Sequence, residues 1–215
     1  MTDREVRTPM RDTLDPDARL MLRVRDDDAI AFEELVRRYQ TRLVTILRNM
    51  MGSPELAEDL AQDVFLRVYR ARKTYTPDAK FSTWLFRIAT NVSKNAKRSK
   101  ARRREVNVIG EDSGAYGVNP LENMAQAASG LMPARQLDNV ERAAMVQIAM
   151  ESLNERQRMA VLLSRFEGMS YADIAATMEL SVSAIKSLLS RARTNLKAAL
   201  EPYIEVGALP TDETE

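Results

Sequence analysis

Apolar side chains recur at helical spacing along nearly the whole chain, and this periodicity limits the fold more than any other feature of the sequence. Only seven of the 215 residues are glycine, and β-branched residues do not alternate with polar ones as they do in half-buried strands. The sharpest amphipathic segment is residues 53–72. Its predicted apolar stripe comprises Leu56, Leu60, Val64, Phe65 and Val68. The pattern predicts an all-α fold.

Capping residues divide this pattern into separate helices. The residues predicted as N-caps are Asp15, Ser53, Ser82, Asn154, Ser170 and Ser181. The predicted helices cover about residues 15–25, 29–50, 53–72, 82–104, 137–152, 154–168, 170–178 and 181–200. The last two, a short helix and a longer basic helix, are joined by a tight turn at Glu179 and Leu180. That order is typical of a helix-turn-helix unit.

The element order predicts two small helical domains joined by a flexible linker, the second with the helix-turn-helix. Glycine, proline and small residues without a stable period mark the linker. The predicted divisions are a disordered N-terminus at 1–14, a first domain at 15–104, the linker at 105–137, a second domain at 138–202 and a tail at 203–215. The N-terminus lacks the apolar core of a signal peptide, so we expect a cytoplasmic protein.

Composition argues against catalysis. Cysteine and histidine are both absent, which excludes disulfides, thiolate zinc sites and the commonest general base. The sequence contains no phosphate-binding glycine loop, glycine-flanked serine nucleophile or metal-ligand cluster. We therefore expect a protein that is not an enzyme, with no catalytic residue, no metal site, no cofactor and no small-molecule substrate.

The formal net charge of +1 hides a separation of charge along the chain. Residues 87–104 contain many cations and no acid, and they follow an aromatic-rich stretch with the single tryptophan, Trp84. Aromatic rings beside cations suit the binding of separated strands, although some of these rings must also serve the core. The acids at 55–63 fit either a solvated face or a docking face. The basic face of the last helix likewise fits either DNA binding or plain solvation.

Four strings of the sequence, in order, resemble the extracytoplasmic-function sigma factors, which are the smallest bacterial sigma factors. In the first half the strings are AFEELVRRYQ, AEDLAQDVFLRVYR and FSTWLFRIATNVSKNAKR. In the second half the string is LNERQRMAVLLSRFEGMSYADIAATMELSVSAIKSLLSRAR. The resemblance covers about residues 18–104 and 140–200, on either side of the linker, and it leaves the linker and both termini unmatched.

The resemblance implies a role for each half. The first domain would hold core RNA polymerase and open the −10 element, and the second would read the −35 duplex. Implied polymerase-binding residues are Glu58, Asp59, Gln62 and Asp63. Implied −10 residues are Trp84, Asn91, Lys94, Asn95, Lys97 and Arg98. Implied −35 residues are Ser181, Ser183, Lys186, Ser187 and Arg191. The expected partners are the clamp of the largest polymerase subunit, the flap of the second-largest, promoter DNA and an anti-sigma factor.

Some positions depart from the family pattern. Glu179 occupies a turn position where glycine is common, so we expect backbone strain or a different turn there. Leu188 and Ser190 stand where larger basic or aromatic residues are frequent, so no −35 consensus is carried over. Two alternatives stay open: a helix-turn-helix regulator that is not a polymerase subunit, and a helical adaptor that binds only proteins.

Overall fold

The structure, a computed structural model, describes residues 15–108 and 145–205. Within those ranges the regular structure is helical throughout, which confirms the predicted all-α fold. The predicted disordered N-terminus lies outside the described residues, as do nearly all of the predicted linker and most of the tail. No helix among the described residues is long and apolar enough to cross a membrane.

Eight α-helices and one short 3-10 turn follow one another in the described chain. In the N-terminal half they are α1 (Pro16–Arg25), α2 (Ala29–Met51), α3 (Pro54–Arg70), the 3-10 turn (Arg72–Thr74) and α4 (Phe81–Val108). In the C-terminal half they are α5 (residues 145–151), α6 (Glu155–Arg165), α7 (Tyr171–Met178) and α8 (Val182–Glu205). All eight correspond to the helices expected from capping and periodicity.

Local signals set most helix ends where the sequence predicts them. Pro16 is the first residue of α1, a position where its missing N–H costs nothing. The α2 helix ends at Gly52, whose φ of 74° is left-handed. The Ser53 hydroxyl then accepts an amide of the first turn of α3 at 3.2 Å. In α6, Asn154 and Gln157 each accept the other's backbone N–H, at 2.9 and 3.1 Å, which confirms the capping box.

Three details of the prediction are wrong. The fourth helix begins at Phe81 rather than at a Ser82 cap, because the acceptor for its first amide comes from a distant part of the chain. It also runs beyond residue 104, to Val108. The last helix continues past residue 200 and through Pro202, to Glu205.

The chain divides into two compact units, which do not follow the order of the sequence. Among the described residues, one comprises 15–97 and 162–185, and the other comprises 98–108, 145–161 and 186–205. The core of the first unit is built from large side chains with less than 2% exposure. In its N-terminal part these are Met21, Leu35, Leu43, Ile46, Leu47, Phe81, Leu85 and Phe86. Because 162–185 groups with the N-terminal helices, the domain boundaries drawn from the sequence stay predictions.

The turn between α7 and α8 carries the strain expected at Glu179. This residue adopts φ 58° and ψ 47°, the left-handed conformation that most L residues avoid. The turn closes with a hydrogen bond from the Leu180 N–H to the Ala175 carbonyl at 3.0 Å. Ser170 caps α7 by accepting the Asp173 N–H at 3.1 Å, as predicted. The helix-turn-helix geometry therefore forms in spite of an unfavourable residue at its turn.

Glycine at position 179 is expected to stabilise the protein. Glu179→Gly removes the steric cost of the left-handed backbone but also increases the conformational entropy of the unfolded chain. The net increase in the free energy of unfolding should be about 0.5–1 kcal/mol. Gly168→Ala is the matched opposite change, since Gly168 has φ 61° and an added Cβ would meet nothing within 4 Å. Chemical denaturation should show a higher midpoint for the first variant and a lower one for the second. A lower midpoint for Glu179→Gly would contradict the assignment of strain.

Candidate functional site

The acidic surface of α3 comprises Glu58, Asp59, Gln62 and Asp63, the four predicted polymerase-binding residues. The first three are exposed, and Asp63 is half-buried. The Asp63 carboxylate forms an ion pair with Arg67, one turn further along, with Oδ2 and Nε 3.0 Å apart. The helix therefore brings all four side chains onto neighbouring rows of one face, and Asp63 is the member whose charge is already paired.

The core-facing stripe of α3 differs from the prediction. Ala57 and Ala61 are buried, whereas Leu56 and Leu60, which were assigned to the core, are only half-buried. Small residues let the backbones of two packed helices come close, and α3 packs mainly on α2. Val64, Phe65 and Val68 are buried as predicted, so the pattern misplaced the contact face by one residue only in the first half of the helix.

An apolar groove between α2 and α3 adjoins the acidic surface. Its volume is about 930 Å³. Its apolar walls include Phe32, Val36, Val44, Phe65, Leu66 and Tyr69. Glu58 and Gln62 stand at its edge, so the acidic surface and the groove are continuous. Leu66 is 53% exposed. The sequence does not reveal this groove, because Phe32 and Val36 have the helical spacing of core residues, whereas the structure leaves them half-buried.

Five of the six predicted −10 residues share one side of α4. The α4 stripe comprises Trp84, Asn91, Lys94, Asn95 and Arg98, which fall within an arc of about 100° around the helix axis. All are exposed except Trp84, which is half-buried. The sixth candidate, Lys97, is half-buried and lies just outside this arc, about 60° beyond Lys94.

Trp84 is anchored by an aromatic cluster at the start of α4. Its ring meets Tyr75 edge-on at 4.9 Å and Phe81 at 6.0 Å. Tyr75 is 2% exposed, and its hydroxyl has no hydrogen-bond partner among the described residues. Burial, and then the negative charges of Asp15 and Asp78, raise the pKa of Tyr75 to about 12. The tyrosine is therefore neutral at physiological pH and supports one face of the tryptophan.

A pocket of about 250 Å³ opens beside Trp84. Its lining includes Thr74, Thr76, Asp78, Thr83 and Arg87. The Thr83 hydroxyl is buried and has no partner among the described residues. An unpaired buried hydroxyl is costly and is satisfied when a polar group enters the pocket. Sequence reasoning missed this pocket, because it arises where the loop before α4 folds back beside the tryptophan.

The predicted −35 residues lie at the start of α8. Ser181 caps the helix by accepting the Ala184 N–H at 3.2 Å, and its hydroxyl is 2.9 Å from that of Ser183. Ser183, Lys186, Ser187 and Arg191 are exposed, while Ile185, Leu189 and Ala192 are buried. Val182, the first residue of α8, has the helical spacing of these core residues but is 42% exposed.

Two family models match the chain, one in each half. The model for Sigma-70 region 2 matches residues 35–103, and that for Sigma-70 region 4 matches residues 143–196. The first match includes α3 and the α4 stripe, and the second includes α7 and most of α8.

Two relatives that align with most of the chain are RNA polymerase sigma factors. The RNA polymerase sigma-H factor of Pseudomonas aeruginosa is 34% identical over 194 residues, covering 89% of this chain and 97% of its own length. The ECF RNA polymerase sigma-E factor of Escherichia coli K12 is 32% identical over 185 residues, covering 86% and 94%.

Solved structures show the same architecture. CnrH, in complex with the cytosolic domain of CnrY, aligns with a TM-score of 0.63 and 25% identity, covering 87% of this chain and 99% of that one. The sigma factor RpoE of Bartonella quintana, in complex with the anti-sigma factor NepR, shares the fold with a TM-score of 0.57, 24% identity and coverage of 79% and 96%. The chain belongs to the sigma-70 family, as an extracytoplasmic-function RNA polymerase sigma factor.

Proposed function

We propose that this sigma factor binds core RNA polymerase through the acidic surface of α3, opens the −10 element with the α4 stripe and reads the −35 duplex with α8. The main support is that one chain presents three chemically different exposed surfaces, on three helices whose buried faces are already used for packing. The protein acts by positioning rather than by catalysis, with no reaction of its own, and it works in the cytoplasm with the polymerase.

The docking partner of α3 is the clamp of the largest polymerase subunit. Glu58 and Asp59 are exposed carboxylates, and the groove beside them offers apolar area to a helix that carries cations. Charge complementarity of this kind sets the orientation and the association rate, while burial of Leu66 and Tyr69 adds affinity. The second domain contacts the flap of the second-largest subunit. An anti-sigma factor is a further partner, because the Bartonella RpoE was solved bound to one, NepR.

The α4 stripe binds the non-template strand as the −10 element melts. Lys94 and Arg98 are exposed cations one turn apart, which suits successive phosphates of one strand. Trp84 offers a ring supported from behind by Tyr75, so it can stack on an unpaired base. The pocket beside it is of a size to receive one extruded base, whose polar edge would meet the Thr83 hydroxyl.

The start of α8 enters the major groove of the −35 duplex. In helix-turn-helix proteins the N-terminal part of the second helix contacts base edges. Lys186 lies in the second turn, whereas Arg191 lies five residues later and about 140° further around the helix. The two cations therefore contact different parts of the DNA. Lys186 contacts base edges, and Arg191 contacts a phosphate.

Alanine substitution should separate these two roles. Lys186→Ala should reduce the binding free energy for the best −35 sequence by about 1–3 kcal/mol. It should also weaken the preference for particular bases at some positions of that element. Arg191→Ala should weaken binding to all −35 sequences alike. It should also reduce the slope of log affinity against log salt concentration by about 0.9, the value for one phosphate of duplex DNA. Transcription across a randomised −35 library at several salt concentrations measures both. A uniform loss for both variants would refute base reading by Lys186, and no loss for either would refute the role of α8.

A further inference from the structure

The Asp15 side chain does not cap its own helix. Asp15 is the N-cap residue of α1, yet it makes no side-chain hydrogen bond to the first turn of that helix. Its carboxylate oxygen Oδ2 instead accepts the Phe81 N–H at 3.1 Å, 66 positions further along the chain. The acid therefore joins the start of α1 to the start of α4.

The local sequence leaves this carboxylate available. Pro16 follows Asp15 and restricts it to an extended backbone, in agreement with its ψ of 131°. Proline at this first helical position has no N–H, so α1 has one amide fewer in need of an acceptor. The Asp15 backbone still holds the helix, because its carbonyl accepts the Arg19 N–H at 3.0 Å.

The start of α4 needs an acceptor from elsewhere. Lys80 precedes the helix, and its carbonyl accepts the Trp84 N–H at 3.3 Å, but a lysine side chain carries no hydrogen-bond acceptor. Helix N-termini have unsatisfied amides and a partial positive charge, so a carboxylate there stabilises the first turn. Asp15 supplies that carboxylate. Phe81, which receives the contact, is fully buried and packs against Trp84.

We propose that Asp15 is a positioning residue for promoter opening. By holding the first amide of α4 it fixes the direction in which α4 leaves the core, and with it the presentation of Trp84 and the rest of the α4 stripe to DNA. Asp15 itself touches no DNA. This inference rests on the proposed role of the α4 stripe in opening the −10 element.

The test compares Asp15→Ala with Asp15→Asn in the full chain, free and as holoenzyme. The alanine variant should form three- to tenfold fewer open complexes, scored by permanganate reactivity of −10 thymines, at unchanged affinity for core polymerase. The asparagine variant keeps an acceptor oxygen and should recover most of this loss. The single tryptophan provides a second readout in the free protein. Acrylamide quenching of Trp84 should rise in the alanine variant and return towards the wild-type value with asparagine.

Asp17→Ala is the matched control. Asp17 lies on α1 and accepts hydrogen bonds from the Tyr39 hydroxyl at 2.5 Å and from Arg38 at 2.6 Å, so these two bonds tie α1 to α2 and hold no amide of α4. Normal opening by Asp15→Ala, or an equal loss in Asp17→Ala, would overturn the positioning role. Lys94→Ala/Arg98→Ala is run in parallel. If that variant opens DNA normally, the stripe itself has been misassigned, whereas its failure beside a normal Asp15→Ala refutes the inference about Asp15 alone.

Discussion

Replacing Glu58 and Asp59 with lysine is expected to weaken binding to core polymerase about 100-fold. Both carboxylates are exposed, and each reversal turns an attraction to a cationic partner into a repulsion. A total of about 3 kcal/mol for the two sites corresponds to roughly two powers of ten in affinity. Asp63 is left unchanged because its pairing with Arg67 would confuse a loss of docking with a loss of helix stability. Fluorescence anisotropy of the labelled protein, titrated with purified core, measures the effect.

A second double variant controls for net charge. Asp26→Lys/Glu201→Lys changes the total charge by the same amount at two exposed residues that are not part of α3. It should bind core as the wild type does. Surface substitutions usually alter stability by less than about 0.5 kcal/mol, so circular dichroism should show both proteins folded. If the two double variants bind core with equal affinity, the acidic surface is not part of the docking site.

Removing both cations of the α4 stripe is expected to reduce open complexes at least tenfold. Lys94→Ala/Arg98→Ala deletes two contacts to one strand, so the salt slope of promoter opening should fall by about 1.4, at about 0.7 per single-strand phosphate. Core binding should not change, because the acidic surface is on another helix. Permanganate footprinting of the −10 thymines at several salt concentrations measures both the amount of open complex and its salt slope.

Lys100 supplies the control on the same helix. It is exposed and lies about 200° around α4 from Arg98, so it points away from the stripe. Lys100→Ala should open promoters normally. If instead Lys100→Ala and the double variant lose activity in proportion to the charge removed, α4 acts only through its overall positive field and no face of it is specific.

Features encoded by neighbouring residues could be predicted from the sequence. The Ser53 cap, the Asn154 and Gln157 capping box and the Glu179 turn each depend on a few adjacent positions, and the structure confirms all three. The exposed acids of α3 also follow directly from helical period.

Features made by tertiary packing could not be predicted in this way. The true cap of α4 is Asp15, a residue from another helix, and Ser82 was the nearest plausible local choice. The α2–α3 groove and the pocket beside Trp84 depend on how closely separate segments approach.

Run-off transcription tests the central claim most directly. Purified core polymerase would be supplied with this protein and a linear template carrying the region upstream of its own coding sequence. We expect a transcript with a discrete start only when the protein is present, and its loss when the protein carries Glu58→Lys/Asp59→Lys. Binding to core without any protein-dependent start, on this template and on a library of genomic fragments, would contradict the account of a promoter-directing subunit.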